Sequence, residues 1–204
     1  MAGSQDFTAD PRNANALIYL NGELVRREQA KVSIFDGGFV VGDGVWEGLR
    51  LHKGVLLFLD QHLDRLYWGA NRIGLDIGLD RKALTAEIRR ILDANGMRDG
   101  VHLRVMATRG EKSAPNQDPR NALGKATLVI VAEYKSPNPQ IMTKGLSLFT
   151  SSIRCTPAEM FGIFAQTAES VYSRGYVLTV ELRYRYTLAF ERPYSFMSAL
   201  ISAP

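Results

Sequence analysis

The spacing of apolar residues changes period twice along this chain, and that order leaves few folds open. Apolar residues first alternate, then recur three and four apart, then alternate again, the signatures of strands, helices and strands in turn. The first alternating region opens with Leu17-Ile-Tyr-Leu-Asn21, Gly22 and the run ELVRREQAKVSIF. Asn-Gly between two such runs predicts a hairpin, because both central residues of the tight turn need positive φ. Asp36-Gly37-Gly38 then punctuates the chain. After it, FVVGDGVWEGLRLHKGVLLFL reads as two further strands joined at His52-Lys53-Gly54, with glycines where side chains would obstruct a close approach.

The helical period begins at Asp60, an N-capping residue type, and places Leu63, Leu66, Ala70 and Ile73 on one face before Gly74. Asp80 opens a second such segment, with Leu84, Ile88, Ile91 and Leu92 inside and Asn95-Gly96 as the stop. VHLRVMAT and ATLVIVAEY are strands flanking the polar loop RGEKSAPNQDPRNALGK. Strands, two helices and strands predict an α+β fold, an antiparallel sheet with two helices spanning residues 16–133. Residues 1–15 are expected to be a flexible N-terminus. Tyr134-Lys-Ser-Pro-Asn-Pro-Gln140 has the composition of a linker, which leaves 141–204 as a second, incomplete C-terminal domain.

Composition then removes several function classes. At 204 residues and 46% hydrophobic the chain can bury a sizeable core. Its apolar runs, such as Leu128-Val-Ile-Val-Ala132, are far shorter than the roughly 20 residues that cross a bilayer. The polar N-terminus with Asp6 and Asp10 lacks a secretory or transit pattern, so a cytoplasmic location is expected. Cys155 is the single cysteine and His52, His62 and His102 are scattered; neither an internal disulfide, nor a thiol nucleophile, nor a metal site is expected. Although the net charge is +4, basic and acidic residues are interleaved, which argues against a nucleic-acid partner.

From Phe161 onward the composition breaks. The last 44 residues hold nine of the seventeen Phe and Tyr residues but no Lys, Asp, Asn or His. Lys, Asp and Asn number 26 in the preceding 160 residues, so an even spread would place about seven here. Strand GLSLFTSSIRCTP before the break follows the earlier style; the aromatic, β-prone stretch after it favours collapse or aggregation over an orderly second domain.

Five motifs in order, YLNGELV, GDGVWEGLR, FLDQHLDRL, VHLRVMATRG and TSSIRCTP, resemble the fold-type IV pyridoxal-phosphate aminotransferases. That family includes branched-chain aminotransferase, D-amino acid aminotransferase and aminodeoxychorismate lyase. The resemblance spans residues 18–160 and implies pyridoxal 5'-phosphate as cofactor, an amino acid and a 2-oxo acid as substrates, and a homodimer. It matches Arg65 to the phosphate-binding arginine, a fork suited to an anion. Trp46 corresponds to the aromatic pocket wall, and Gly48 to a glycine that lets the strand approach cofactor and substrate. Arg104 and Arg109 lie where the family places carboxylate-binding arginines. They are five apart, so a regular strand would put them on opposite faces. The ending Glu47-Gly48-Leu49-Arg50 looks more like the branched-chain group than the D-amino acid group and implies a hydrophobic or branched-chain substrate.

The resemblance also implies a lysine, followed by x-x-Asn, that forms a Schiff base with the cofactor shortly after TSSIRCTP. Gln166 occupies the expected position, and no lysine follows Lys144. An amide nitrogen cannot serve as that nucleophile, so this chain is expected to be impaired, without covalent cofactor attachment and with its catalytic residue unidentified. Three readings remain: a divergent non-catalytic association module, a catalyst whose lysine aligns elsewhere, or an aminotransferase whose reading frame shifts near 161. The codons of Gln166-Thr-Ala-Glu169, read one nucleotide later, permit Lys-x-Leu-Asn, and this favours the shifted frame.

Overall fold

The structure, a computed structural model, describes residues 9–136 together with Thr143 and Gly145. Strand GLSLFTSSIRCTP, most of the linker, Gln166 and, those two residues apart, the segment 141–204 lie outside the described residues.

Six strands form one sheet: β1 (Ile18–Leu20), β2 (Glu23–Val25), β3 (Gly44–His52), β4 (Val55–Leu57), β5 (Val101–Thr108) and β6 (Thr127–Tyr134). Their order is β2-β1-β6-β5-β3-β4, with antiparallel neighbours throughout. Both short hairpins turn on two residues at positive φ. These are Asn21 (51°) with Gly22 (99°), and Lys53 (46°) with Gly54 (80°), the backbone twist a two-residue loop needs. Helices α2 (Leu59–Arg72) and α3 (Arg81–Ala94) cover one face, α2 against β3 and α3 against β6 and β1. The core lies between, where Leu63, Leu66, Leu84, Ile88 and Ile91 meet Leu49, Val101, Leu103 and Ile130. Strand alternation sets this up: Val45, Glu47, Leu49 and Leu51 of β3 are buried, while Trp46, Gly48 and Arg50 face the other way.

Three local expectations need correction. The expected second strand from Glu23 to Phe35 stops at Val25. Arg26-Arg-Glu-Gln29 has no apolar alternation, and the amides of Gln29 and Ala30 bond back to the Arg26 carbonyl as a turn. Phe39-Val40-Val41, read as the start of a strand, belongs instead to the short helix α1 (Gly37–Val41). The carboxylate of Asp36 accepts from the Gly38 amide to begin it, and Gly42 at φ 72° ends it. Finally, Asp60 lies inside the first turn of α2, where a carboxylate favours the helix dipole; the capping position is Phe58, in the left-handed region. Helix α3 follows its sequence signals closely, with the Asp80 side chain accepting from the Ala83 amide at 2.7 Å and Asn95 at its end.

Candidate active site

Two clusters form on opposite sides of β3. On the face away from the helices, cross-strand register sets Gly48 opposite Arg104, and Arg104 opposite Val131. Trp46 pairs with Met106 one step along, and Arg50 with His102 one step the other way. The guanidinium of Arg104 lies 4.3 Å from the Trp46 ring centroid, within cation–π range. A side chain at Gly48 would begin 3.3 Å from the His102 ring nitrogen, so this glycine lets the imidazole lie close over the strand. Arg50 donates to the Lys135 carbonyl at 2.6 Å. Burial, with Lys135, Arg104 and Arg50 nearby, holds His102 below its ordinary pKa against the opposing pull of Glu133. The face is therefore cationic, with an aromatic wall, and suits an anion attached to an apolar group.

Beneath the helices sits the second cluster. Glu47 is only 2% exposed and lies in register with Val105 and Ile130, both fully buried. An unpartnered carboxylate there would be prohibitively costly. Arg65 from α2 meets it through two hydrogen bonds, Nε to Oε1 at 2.5 Å and Nη2 to Oε2 at 2.6 Å. His62, one turn earlier on α2, places Nδ1 2.8 Å from Oε2. Burial alone would raise the Glu47 carboxyl, but hydrogen bonds from His62 and Arg65 outweigh it and hold the group below its ordinary value. Arg65 is held above its own by the Glu47 bond. The side chain of Arg65 remains about a third exposed, and its Nη1 has no hydrogen bond among the described residues.

Thus the structure brings Trp46, Gly48 and Arg104 together, places Arg65 across the sheet from them, and sets Arg109 apart. Arg109 follows the end of β5 and spends its guanidinium on other contacts. It bonds Asp43 at 2.6 and 3.0 Å and donates to the carbonyls of Ile73 and Gly74 at 2.7 and 2.9 Å. These contacts tie the end of α2 to the approach to β3. Glu47 and His102 join these clusters although the motifs assign neither a contact in the site. Parity offered a signal for both: Glu47 is the one charged residue at the buried parity of β3, and His102 shares the face of Arg104 at two residues' distance.

The description Amino-transferase class IV matches residues 44–167, a span that contains both clusters and ends one residue past Gln166. The chain belongs to the class IV aminotransferase family. Among curated relatives, "Branched-chain-amino-acid aminotransferase-like protein 1" of Arabidopsis thaliana is 41% identical over 62% of this chain and 23% of its own length. The "Putative branched-chain-amino-acid aminotransferase" of Methanocaldococcus jannaschii is 38% identical over 70% of this chain and 48% of its own. "D-alanine aminotransferase" of Bacillus licheniformis is 37% identical over 49% of this chain and 35% of its own. The chain thus spans less than half the length of each. Among solved structures, a branched-chain amino acid aminotransferase complexed with N-(5'-phosphopyridoxyl)-L-glutamate superposes with a TM-score of 0.51 at 27% identity, over 58% of this chain and 40% of that one. The Escherichia coli branched-chain enzyme, at 23% identity and a TM-score of 0.53 over 58% of this chain and 40% of its own, shares the fold.

Among the described residues no helix is long and apolar enough to cross a membrane, and none of their His, Cys, Asp and Glu residues cluster as a metal site.

Proposed function

We propose that this chain carries the N-terminal, substrate-facing half of a pyridoxal-phosphate transaminase that exchanges an amino group between a hydrophobic or branched-chain amino acid and a 2-oxo acid. The observation that carries this reading is Arg104 stacked over Trp46 and in register with Gly48. A planar guanidinium recognises the carboxylate, and the indole offers an apolar wall to the side chain. The donor chemistry also fits a phosphate-bearing cofactor, because Arg65 keeps a cationic edge clear among the described residues. When bound, pyridoxal phosphate supplies the electron sink for transamination; Arg65 would hold its phosphate. Arg109 acts on the fold in this reading, its guanidinium being committed to Asp43 and the end of α2.

Gln166 stands where the family lysine is expected, and no lysine follows Lys144, so this chain binds ligands without turnover. The composition break at Phe161 supports a shifted reading frame as the cause, and the homodimer implied by the resemblance and the cytoplasmic location expected from the polar N-terminus belong to the intact protein. A second reading, transamination of D-amino acids, draws on the D-alanine aminotransferase relatives; aminodeoxychorismate lyase chemistry, or a non-catalytic association module, has no observation of its own. Two measurements test the proposal. The coding nucleotides should contain Lys-x-Leu-Asn in the frame one nucleotide later, and the frame-restored protein should prefer L-leucine or L-valine over D-alanine. Borohydride fixing the cofactor to a single lysine of the present chain would contradict the loss of turnover, and a D-alanine preference would select the second reading.

A further inference from the structure

We propose that Glu47 is a positioning residue for Arg65. Its buried carboxylate grips the Nε and Nη2 side of the guanidinium and so presents the Nη1 edge as a preformed donor to an anion. The inference rests on Arg65 being the phosphate contact of the proposed function.

Packing gives Glu47 little reason to be charged. Its cross-strand neighbours are Val105 and Ile130, its own strand buries Val45 and Leu49 on the same side, and exchanging a buried ion pair for hydrophobic residues of similar volume is often neutral for stability. What a carboxylate adds is geometry. Two parallel N–H···O bonds fix the guanidinium plane, which restricts the rotamer freedom a solvated arginine would otherwise keep. His62 completes the arrangement. Its Nδ1 lies 2.8 Å from Oε2 of Glu47 and 3.3 Å from Nη2 of Arg65. Arginine nitrogens only donate, so the shorter contact assigns the Nδ1 proton to a bond with Glu47. The carboxylate is thereby held from strand and helix at once, and the Nη1 edge of Arg65 inherits that rigidity. Glu47 also lies between Trp46 and Gly48 in sequence, so one strand locates the aromatic wall on one side and the anion donor on the other.

The test compares the affinity of the full chain for pyridoxamine 5'-phosphate and for pyridoxamine by calorimetry. Neither probe carries an aldehyde, so covalent attachment does not enter. The readout is the ratio of the two dissociation constants, which a general loss of folding would not move selectively. The wild-type chain should prefer the phosphorylated probe by at least about tenfold, and Arg65→Gln should abolish that preference. Glu47→Gln, and Glu47→Asp as the variant that keeps the charge but shortens the reach, should each cut it by about tenfold, with far-UV circular dichroism unchanged for the variant scored. Full preference in Glu47→Asp or Glu47→Gln, alongside its loss in Arg65→Gln, overturns the positioning role and leaves the phosphate reading intact. No preference in the wild type, or a preference that survives Arg65→Gln, overturns both.

Discussion

Replacing Arg109 by methionine separates the structural role its contacts give it from the substrate-binding role proposed for Arg104. Arg109 and Asp43 are 11% and 14% exposed and share two hydrogen bonds. The guanidinium also satisfies the carbonyls of Ile73 and Gly74 at the end of α2. Removing one partner of a buried pair costs about 3–5 kcal/mol, because the remaining charge is left without compensation. The slight exposure of both groups and the freedom of the two carbonyls to meet water place the expected loss at the lower end, about 3 kcal/mol, or about 10 °C in Tm for a domain of this size. Urea unfolding followed by tryptophan fluorescence measures it, and a double-mutant cycle with Asp43→Asn should return a coupling of about 2 kcal/mol or more. Arg104→Met should cost less than about 1 kcal/mol, since among the described residues its exposed guanidinium stacks on Trp46 and makes no hydrogen bond. Binding should show the reverse: Arg104→Met should weaken binding of 4-methylvalerate, while folded Arg109→Met should retain it. An Arg109→Met chain as stable as wild type but unable to bind the carboxylate would refute this division of roles.

Backbone and phenol chemistry yield two further expectations. Gly110 sits at φ 82°, and a Cβ there would come within 2.2 Å of the Lys125 carbonyl oxygen, whereas Gly54 at φ 80° faces open space; Gly110→Ala should cost about 2–4 kcal/mol and Gly54→Ala about 1, and equal urea midpoints for the two variants would exclude the clash. The Tyr67 hydroxyl donates to the Leu79 carbonyl at 2.7 Å, and burial, with Asp80 nearby, pushes its pKa up to about 12. The folded value lies above the unfolded one, so the neutral phenol favours the fold and stability should decline as pH rises from 10 toward 12. Tyr67→Phe should flatten that decline; an unchanged alkaline profile would locate its cause elsewhere.

Local signals and tertiary arrangement divided the determination of this protein in a physically intelligible way. Hydrophobic periodicity and turn chemistry were sufficient for both tight hairpins, for α2 and α3 and for the long strands β3, β5 and β6, because each element's buried face repeats at its own period. They failed where a short apolar run had two uses: Phe39-Val40-Val41 is β-prone by composition, yet the Asp36 cap and Gly42 close a helical turn around it. The chain alone also carried the ordered motifs of the family and the break at Phe161. It could not tell Arg104 from Arg109, since strand parity separates their faces without saying what each guanidinium would meet. Only the packing of α2 against β3 decided that Arg109 would be consumed by Asp43 and the end of α2, and Arg104 left over Trp46. The same packing turned Glu47 inward and made Arg65 its necessary partner. A buried charge must find its counter-charge across the fold, and that demand acts through distance in space, which sequence spacing does not encode.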